Sequence, residues 1–395
     1  MDIASSVQYE SWGAGQVPPV ERVRDGLWSI PVPMPKSSLR YTLAYAFESP
    51  GGVSIVDAGW NADVSWDGLV DGLAAAGFKP GHVRALIATH AHTDHYGLAD
   101  RIRQASGARI SLHRADAATF GGGDGPARDV AAARRELGRR IGAPSAPAGA
   151  AGAAGKRRPG RDRRDGGTRL DHTAGLDHTA GLDNTVRPDN TVRSDNPDNT
   201  VRSDNTAGQA RRYNAQTWPD VLIEDGDLVD LPGWNLRAIW TPGHSPGHVC
   251  YYEQDLGVLL AGDHVLPRIT PNISVSTSQR ANPLGDYLAS LTAIGDLPVT
   301  EVLPAHQYRF HGLRQRVDEL AAHHEARLAQ IEDVIGGSQG VNCWEITGRL
   351  EWSRPFASLP SRLQRAAARE TLAHLVLLQL RGRLRGDGGQ PERWY

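Results

Sequence analysis

The strand-like run Val83-Arg84-Ala85-Leu86-Ile87-Ala88-Thr89 passes without a spacer into His90-Ala91-His92-Thr93-Asp94-His95. This junction restricts the fold more than any other part of the chain. Three imidazoles and one carboxylate fall within six residues. On a loop that leaves a buried strand their geometry is held, and imidazole nitrogens with a carboxylate oxygen are ligands for zinc and related divalent ions. From an extended loop His90 and His92 point one way, while Asp94 and His95, in the turn that follows, face a second position.

The surrounding pattern is that of an α/β sandwich. Short runs rich in β-branched or aromatic residues and bounded by Gly, Pro or Ser predict strands at Leu27–Val32, Tyr41–Phe47 and Val53–Asp57. Leu69–Ala76 and Leu98–Ala105 read as helices, and Arg109–Leu112 as a further strand. Strand–helix–strand alternation of this kind argues for helices packed on sheets. From about Gly121 to Gln216 the composition turns to Gly, Ala, Arg, Asp, Asn and Thr, with a six-residue repeat beginning Leu170-Asp-His-Thr-Ala-Gly. Each unit offers too little apolar surface for a core, so 121–216 is read as a low-complexity, largely disordered insertion. Its His172 and His178 belong to the repeat and are not taken as ligands, and Ala127–Ile141 is read as the remnant of a lid. A chain lacking 155–209 is accordingly expected to keep its activity, which a rate measurement on the deletion variant checks. Strands are predicted again at Val221–Ile223, Leu228–Leu231, Leu236–Trp240, Val249–Tyr252, Gly257–Ala261 and Glu301–Pro304. Helices are predicted at Tyr287–Ile294, Val317–Val334 and Ser361–Gly382, with a shorter helical unit opening at Trp344–Thr347.

His-x-His-x-Asp-His after a hydrophobic strand resembles the signature of the metallo-β-lactamase superfamily, and further motifs follow in order. Thr241-Pro242-Gly243-His244-Ser245-Pro246-Gly247-His248, Ala261-Gly262-Asp263 and Leu303-Pro304-Ala305-His306 are similar to its later motifs. The resemblance implies a four-layer αβ/βα sandwich made from 1–120 and 217–310. It implies a metal set of His90, His92, Asp94, His95, His244, Asp263 and His306. Of these, His90, His92 and His244 would hold one metal and Asp94, His95 and His306 the other, with Asp263 bridging. Asp94 and Asp263 would be the catalytic carboxylates, His248 would support its loop without coordinating, and Asp57 would orient a ligand histidine or the loop. The C-terminal part, 311–395, resembles the small winged-helix domain appended to one branch of the superfamily, with 382–395 as its wing.

Two divalent ions, zinc above iron or manganese, would share a water, lower its pKa towards neutrality and polarise the substrate oxygen. The expected reaction is hydrolysis of an ester, thioester or lactone in a small or carrier-bound acyl substrate. A nuclease using the arginine-rich C-terminal part (Arg362, Arg365, Arg369, Arg381, Arg383 and Arg385) to bind nucleic acid is the alternative. A β-lactamase and an iron-dependent persulfide dioxygenase resemble the chain less well. The net charge of −2 gives no overall electrostatic footprint for nucleic acid or anionic membrane. Two cysteines, Cys250 and Cys343, exclude a disulfide framework and fit a reducing compartment. Met1–Val20 reads as no secretion signal, and no run approaches the ~18 apolar residues of a membrane span. A cytoplasmic protein with no membrane partner, able to pair as a homodimer, is the expectation. His264, His311, His323, His324 and His374 are read as ordinary histidines, and Cys250 as a core residue.

Overall fold

The computed structural model describes residues 1–35, 37–120, 130–144, 217–277, 280–336, 338 and 340–395. The hexapeptide repeat, with His172 and His178, lies outside the described residues.

Strand β1 (Asp2–Ile3) joins the second of two large sheets. The first has seven strands in sequence order: β2 (Glu21–Arg24), β3 (Leu27–Pro33), β4 (Tyr41–Ser49), β5 (Gly52–Val56), β6 (Val83–Ile87), β7 (Arg109–His113) and β8 (Val221–Ile223). Its first four strands pair antiparallel and the rest parallel. The second sheet has the order β1, β13 (Phe310–His311), β12 (Glu301–Pro304), β11 (Val258–Gly262), β10 (Val249–Glu253) and β9 (Leu236–Trp240).

Side-chain alternation along the strands builds four layers. In β4, Leu43, Tyr45 and Phe47 point into a core shared with Leu236, Tyr251, Leu260 and Leu303 of the facing sheet. Ala44 and Ala46, one residue out of phase, point to the opposite face, where Leu69, Leu73, Leu98 and Ile102 of the outer helices cover them. The outer face of the second sheet packs Cys250, Leu259, Ala261 and Val302 against Leu284, Leu291, Leu320 and Leu328. Helix, sheet, sheet and helix thus stack as the sequence led us to expect.

Several elements depart from the sequence reading. Leu228–Leu231 is not a strand; Leu228 bridges Arg237 and Val229 N donates to the Leu236 carbonyl at 2.9 Å, and the chain then turns at Gly233. The helix expected at Leu69–Ala76 starts at Asp63. Gly68 and Gly72, which obscure its helical character in the sequence, allow it to lie directly on Pro33 and Ile30. Inside the insertion, Val130–Ile141 is a helix whose contacts are with the C-terminal unit. Leu137 and Ile141 share a core with Cys343 and Trp394, Arg140 pairs with Glu392 at 2.5 Å, and Arg365 donates to the Pro144 carbonyl at 2.7 Å. These contacts tie the helix to the C-terminal unit; residues 127–129 of the segment read as a lid lie outside the described residues.

The C-terminal unit contains helices Leu313–Ile335, Cys343–Arg349 and Ser361–Leu380. The expected wing reduces to a two-stranded ribbon, β14 (Val341–Asn342) with β15 (Arg393–Trp394), extended by one bridge between Gly386 and Trp394. Among the described residues no helix is long and apolar enough to cross a membrane.

Candidate metal centre

The strands deliver their polar residues to one place. His90, His92, Asp94 and His95 follow the end of β6, Asp57 follows β5, Asp263 follows β11 and His306 follows β12. These are ends of parallel strands, where loops of an α/β sheet converge. The short helix Thr93–Tyr96 turns Asp94 and His95 inward together. Gly97 ends that turn, and a Cβ there would lie 2.2 Å from the Thr93 carbonyl and 2.6 Å from Asn61 N. Gly97→Ala is expected to cost about 1–3 kcal/mol and to lower the melting temperature in a thermal scan.

His90 Nε2 and His244 Nε2 each lie 2.9 Å from His92 Nδ1, so three imidazole nitrogens meet at one point. Beside them stands the second group. Asp94 Oδ2 is 3.6 Å from His95 Nε2 and 3.4 Å from His306 Nε2. Asp263 lies between the two groups. Its Oδ1 is 3.5 Å from His95 Nε2 and 3.2 Å from His306 Nε2, while Oδ2 is 3.5 Å from His244 Nε2. The sets His90/His92/His244, His90/His95/Asp263 and Asp94/His95/His306 each bring their ligand atoms within 4.8 Å of one another. All seven residues singled out from the sequence are thus brought together.

The far side of most rings is already engaged. His95 Nδ1 donates to Asp57 Oδ2 at 2.8 Å, His244 Nδ1 to the Asn272 carbonyl at 3.0 Å and His306 Nδ1 to the Tyr41 carbonyl at 3.0 Å. Each bond occupies Nδ1 and aims Nε2 at the cluster, as the nitrogen that would bind a cation once it carries no proton. Asp57 also accepts from Thr89 N at 2.8 Å and from Thr89 Oγ1 at 2.9 Å, tying the start of the histidine loop to β5. His248 accepts from Asp263 N at 3.1 Å and bonds Thr241 Oγ1 at 2.8 Å, so it supports the loop and does not face the cluster.

His90, His95, Asp263 and His306 are fully buried. His92 alone of the seven is partly exposed, so the centre opens on its side. Asp94 Oδ2, His95 Nε2, both Asp263 carboxylate oxygens and His306 Nε2 are buried without a hydrogen-bond partner. Buried polar atoms are ordinarily satisfied. Five orphans converging on one point have the chemistry of a donor set for cations, and the residues fit a divalent ion.

Electrostatically the two halves differ. Burial and then the neighbouring imidazoles hold His90 well below the ordinary range, and burial lowers His244 as well. Both are neutral and ready to donate a lone pair. At the other half burial opposes charge on His306, but the Asp263 and Asp94 carboxylates outweigh it and lift the imidazole to about 10. Asp263 in turn is held well below the carboxylate range: His306 and His95 overcome its burial.

Comparison with known proteins agrees with this geometry. The family model described as the metallo-beta-lactamase superfamily matches residues 38–306, more than half of the chain. The chain belongs to the metallo-beta-lactamase superfamily. Members are generally hydrolytic metalloenzymes, and this chain carries a His/Asp cluster that could hold metal. A metallo-beta-lactamase family protein of Thermus thermophilus is 26% identical with a TM-score of 0.68, the match covering 95% of this chain and 99% of that one. A beta-lactamase domain protein of Burkholderia ambifaria shares the fold, at 24% identity and a TM-score of 0.65 over 95% of this chain and 92% of that one. The lactamase-like protein adaB of Aspergillus niger is 34% identical over 109 residues, 28% of this chain and 32% of that protein. The beta-lactamase-like protein 2 homolog of Caenorhabditis elegans is 28% identical over 135 residues, 34% of this chain and 43% of that protein. The chain spans less than half the length of either relative.

Sequence reasoning missed what lies behind the metallo-beta-lactamase motifs. Thr89, Asn272 and Tyr41 orient ligand rings, the last two through backbone carbonyls that no side-chain motif can announce. Asp116 was missed as well. It is a buried carboxylate on the short helix Arg114–Ala117, raised to about 6 by burial although three donors oppose the shift. Nothing local marks it, since its partners are 25 to 131 residues away. His324 and His374, read as ordinary, form a buried pair at 3.1 Å within the C-terminal unit, apart from the metal cluster.

Proposed function

We propose that the chain is a two-metal hydrolase of a small or carrier-bound acyl ester, thioester or lactone. The observation that carries this reading is Asp263, whose two carboxylate oxygens face different ligand groups and have no hydrogen-bond partner. His90, His92 and His244 would hold one divalent ion, and Asp94, His95 and His306 the other. Zinc suits the imidazole-rich set, and iron or manganese is compatible with it. When bound, such ions acidify a shared water and polarise the substrate oxygen. The chain's own contribution is to fix the ligand rings, exclude water from all but the His92 side and place Asp94 to orient the attacking group.

The winged-helix reading of the C-terminal unit rests on its three helices and ribbon. A nuclease reading draws less support, because Arg381 pairs with Glu325 at 2.9 Å and Arg383 with Glu332. Those charges are already answered within the unit. The test is the initial rate of metal-loaded protein on acyl thioesters, lactones, a chromogenic β-lactam and single-stranded RNA. Thioester or lactone turnover that vanishes in Asp263→Asn is the expected result. Cleavage of RNA alone would move the function to the nuclease class.

A further inference from the structure

Two buried carboxylates that do not face the cluster underlie its two halves. Asp57 serves the half that contains His95. On the three-imidazole half the corresponding contacts belong to Asp116. Its Oδ2 accepts from Ala91 N at 2.7 Å, the peptide between His90 and His92. The same oxygen accepts from Ser245 Oγ at 2.9 Å, next to His244, and Oδ1 accepts from Gly247 N at 2.6 Å. The chain comes so close here that a Cβ at Gly247 would sit 2.5 Å from Asp116 N and 2.9 Å from its Cγ.

We propose that Asp116 is a positioning residue for metal uptake, clamping the His90–His92 loop to the His244 loop so that their three nitrogens converge. Both loops arrive from different sheets, β6 on one side and the β9–β10 connection on the other. Neither loop sets the distance to the other by itself. One carboxylate that accepts hydrogen bonds from both does. A buried charged acceptor makes strong hydrogen bonds with backbone N–H groups, and losing one such partner leaves a buried donor unmet. The consequence is selective. Asp116 touches neither Asp94 nor His306, so its loss loosens the ion held by His90, His92 and His244 and leaves the other in place.

This inference rests on the two-metal reading, and zinc titration of the full chain against a chromophoric chelator separates the two. Asp116→Asn keeps an acceptor for Gly247 but turns an amide N–H2 towards Ala91 N–H. One of the two binding steps is expected to weaken about 10–100-fold, the scale for partners that support metal ligands, while the other step does not move. Ser245→Ala, which removes one of the three bonds, is expected to shift the same step in the same direction by less. It also decides the matter should Asp116→Asn fail to fold. Wild-type zinc affinity at both steps in the variants would overturn the proposal, as would an equal loss at both steps that follows a lowered melting temperature. A wild-type chain that takes up a single zinc ion would overturn the two-metal reading instead. The clamp then stands if that one affinity falls in Asp116→Asn and is overturned if it does not.

Discussion

Asp263→Asn is expected to lower hydrolytic turnover by more than about 10³-fold, with the fold retained. Losing a single preorganised donor at a developing oxyanion costs about 10²–10³-fold. Asp263 is asked for more than that, since its two oxygens serve both ligand groups at 3.2 to 3.5 Å. An asparagine of the same shape keeps one carbonyl oxygen but puts an N–H2 where an oxygen faced His244 or His306. The charge that balances two cations is lost at the same time. His95→Ala should behave alike, because that ring lies 3.5 Å from Asp263 and 3.6 Å from Asp94 while Asp57 anchors its other side. The check is steady-state kinetics with metal in excess, beside circular dichroism. A variant that is fully loaded and turns over at the wild-type rate would end the two-metal mechanism.

The second large effect concerns stability. Glu370, on the helix Ser361–Leu380, is buried, and its Oε2 has no partner. Burial lifts its carboxyl to about 7, against the pull of Arg327. A raised carboxyl pKa means that between about pH 4.5 and 7 the folded chain holds a proton the unfolded chain has released. Stability from this group is therefore present in acid, falls as pH rises through that window and is flat above it. Glu370→Gln should match the wild type near pH 4 and exceed it by roughly 3 kcal/mol at pH 8. The neighbouring His324 and His374 act in the other direction. Burial holds both low, His374 to about 3, so they cost stability as pH falls below the ordinary histidine value. That acid loss is common to both proteins and cancels in the comparison. Denaturant unfolding at the two pH values measures the difference, and equal stability at pH 8 would contradict it.

The candidate metal centre was legible because its residues come in runs. His90 to His95 lie on one loop, and His244, Asp263 and His306 each sit in a short motif at the end of a strand. Local patterning placed those strands, since alternating or continuous apolar runs such as Tyr41–Phe47 and Val83–Ile87 need only neighbours in sequence to be read. Element ends and weak strands were less legible. Leu228–Leu231 has the composition of a strand but meets β9 just at Leu228 and Val229, and Gly68 and Gly72 hid a helix whose reason is contact with Pro33 and Ile30.

The amino-acid sequence by itself determined which side chains can bind a cation, the order in which they occur and the strands that carry them. Tertiary structure decided how they are held. Asn272 and Tyr41 act through carbonyl oxygens, which every residue possesses, so no residue type could disclose them. Asp116 reaches Ala91, Ser245 and Gly247 only because two sheets bring two distant loops within 3 Å of one carboxylate. A hydrogen bond between residues far apart in the chain depends on the packing of everything between them, and that information is not local.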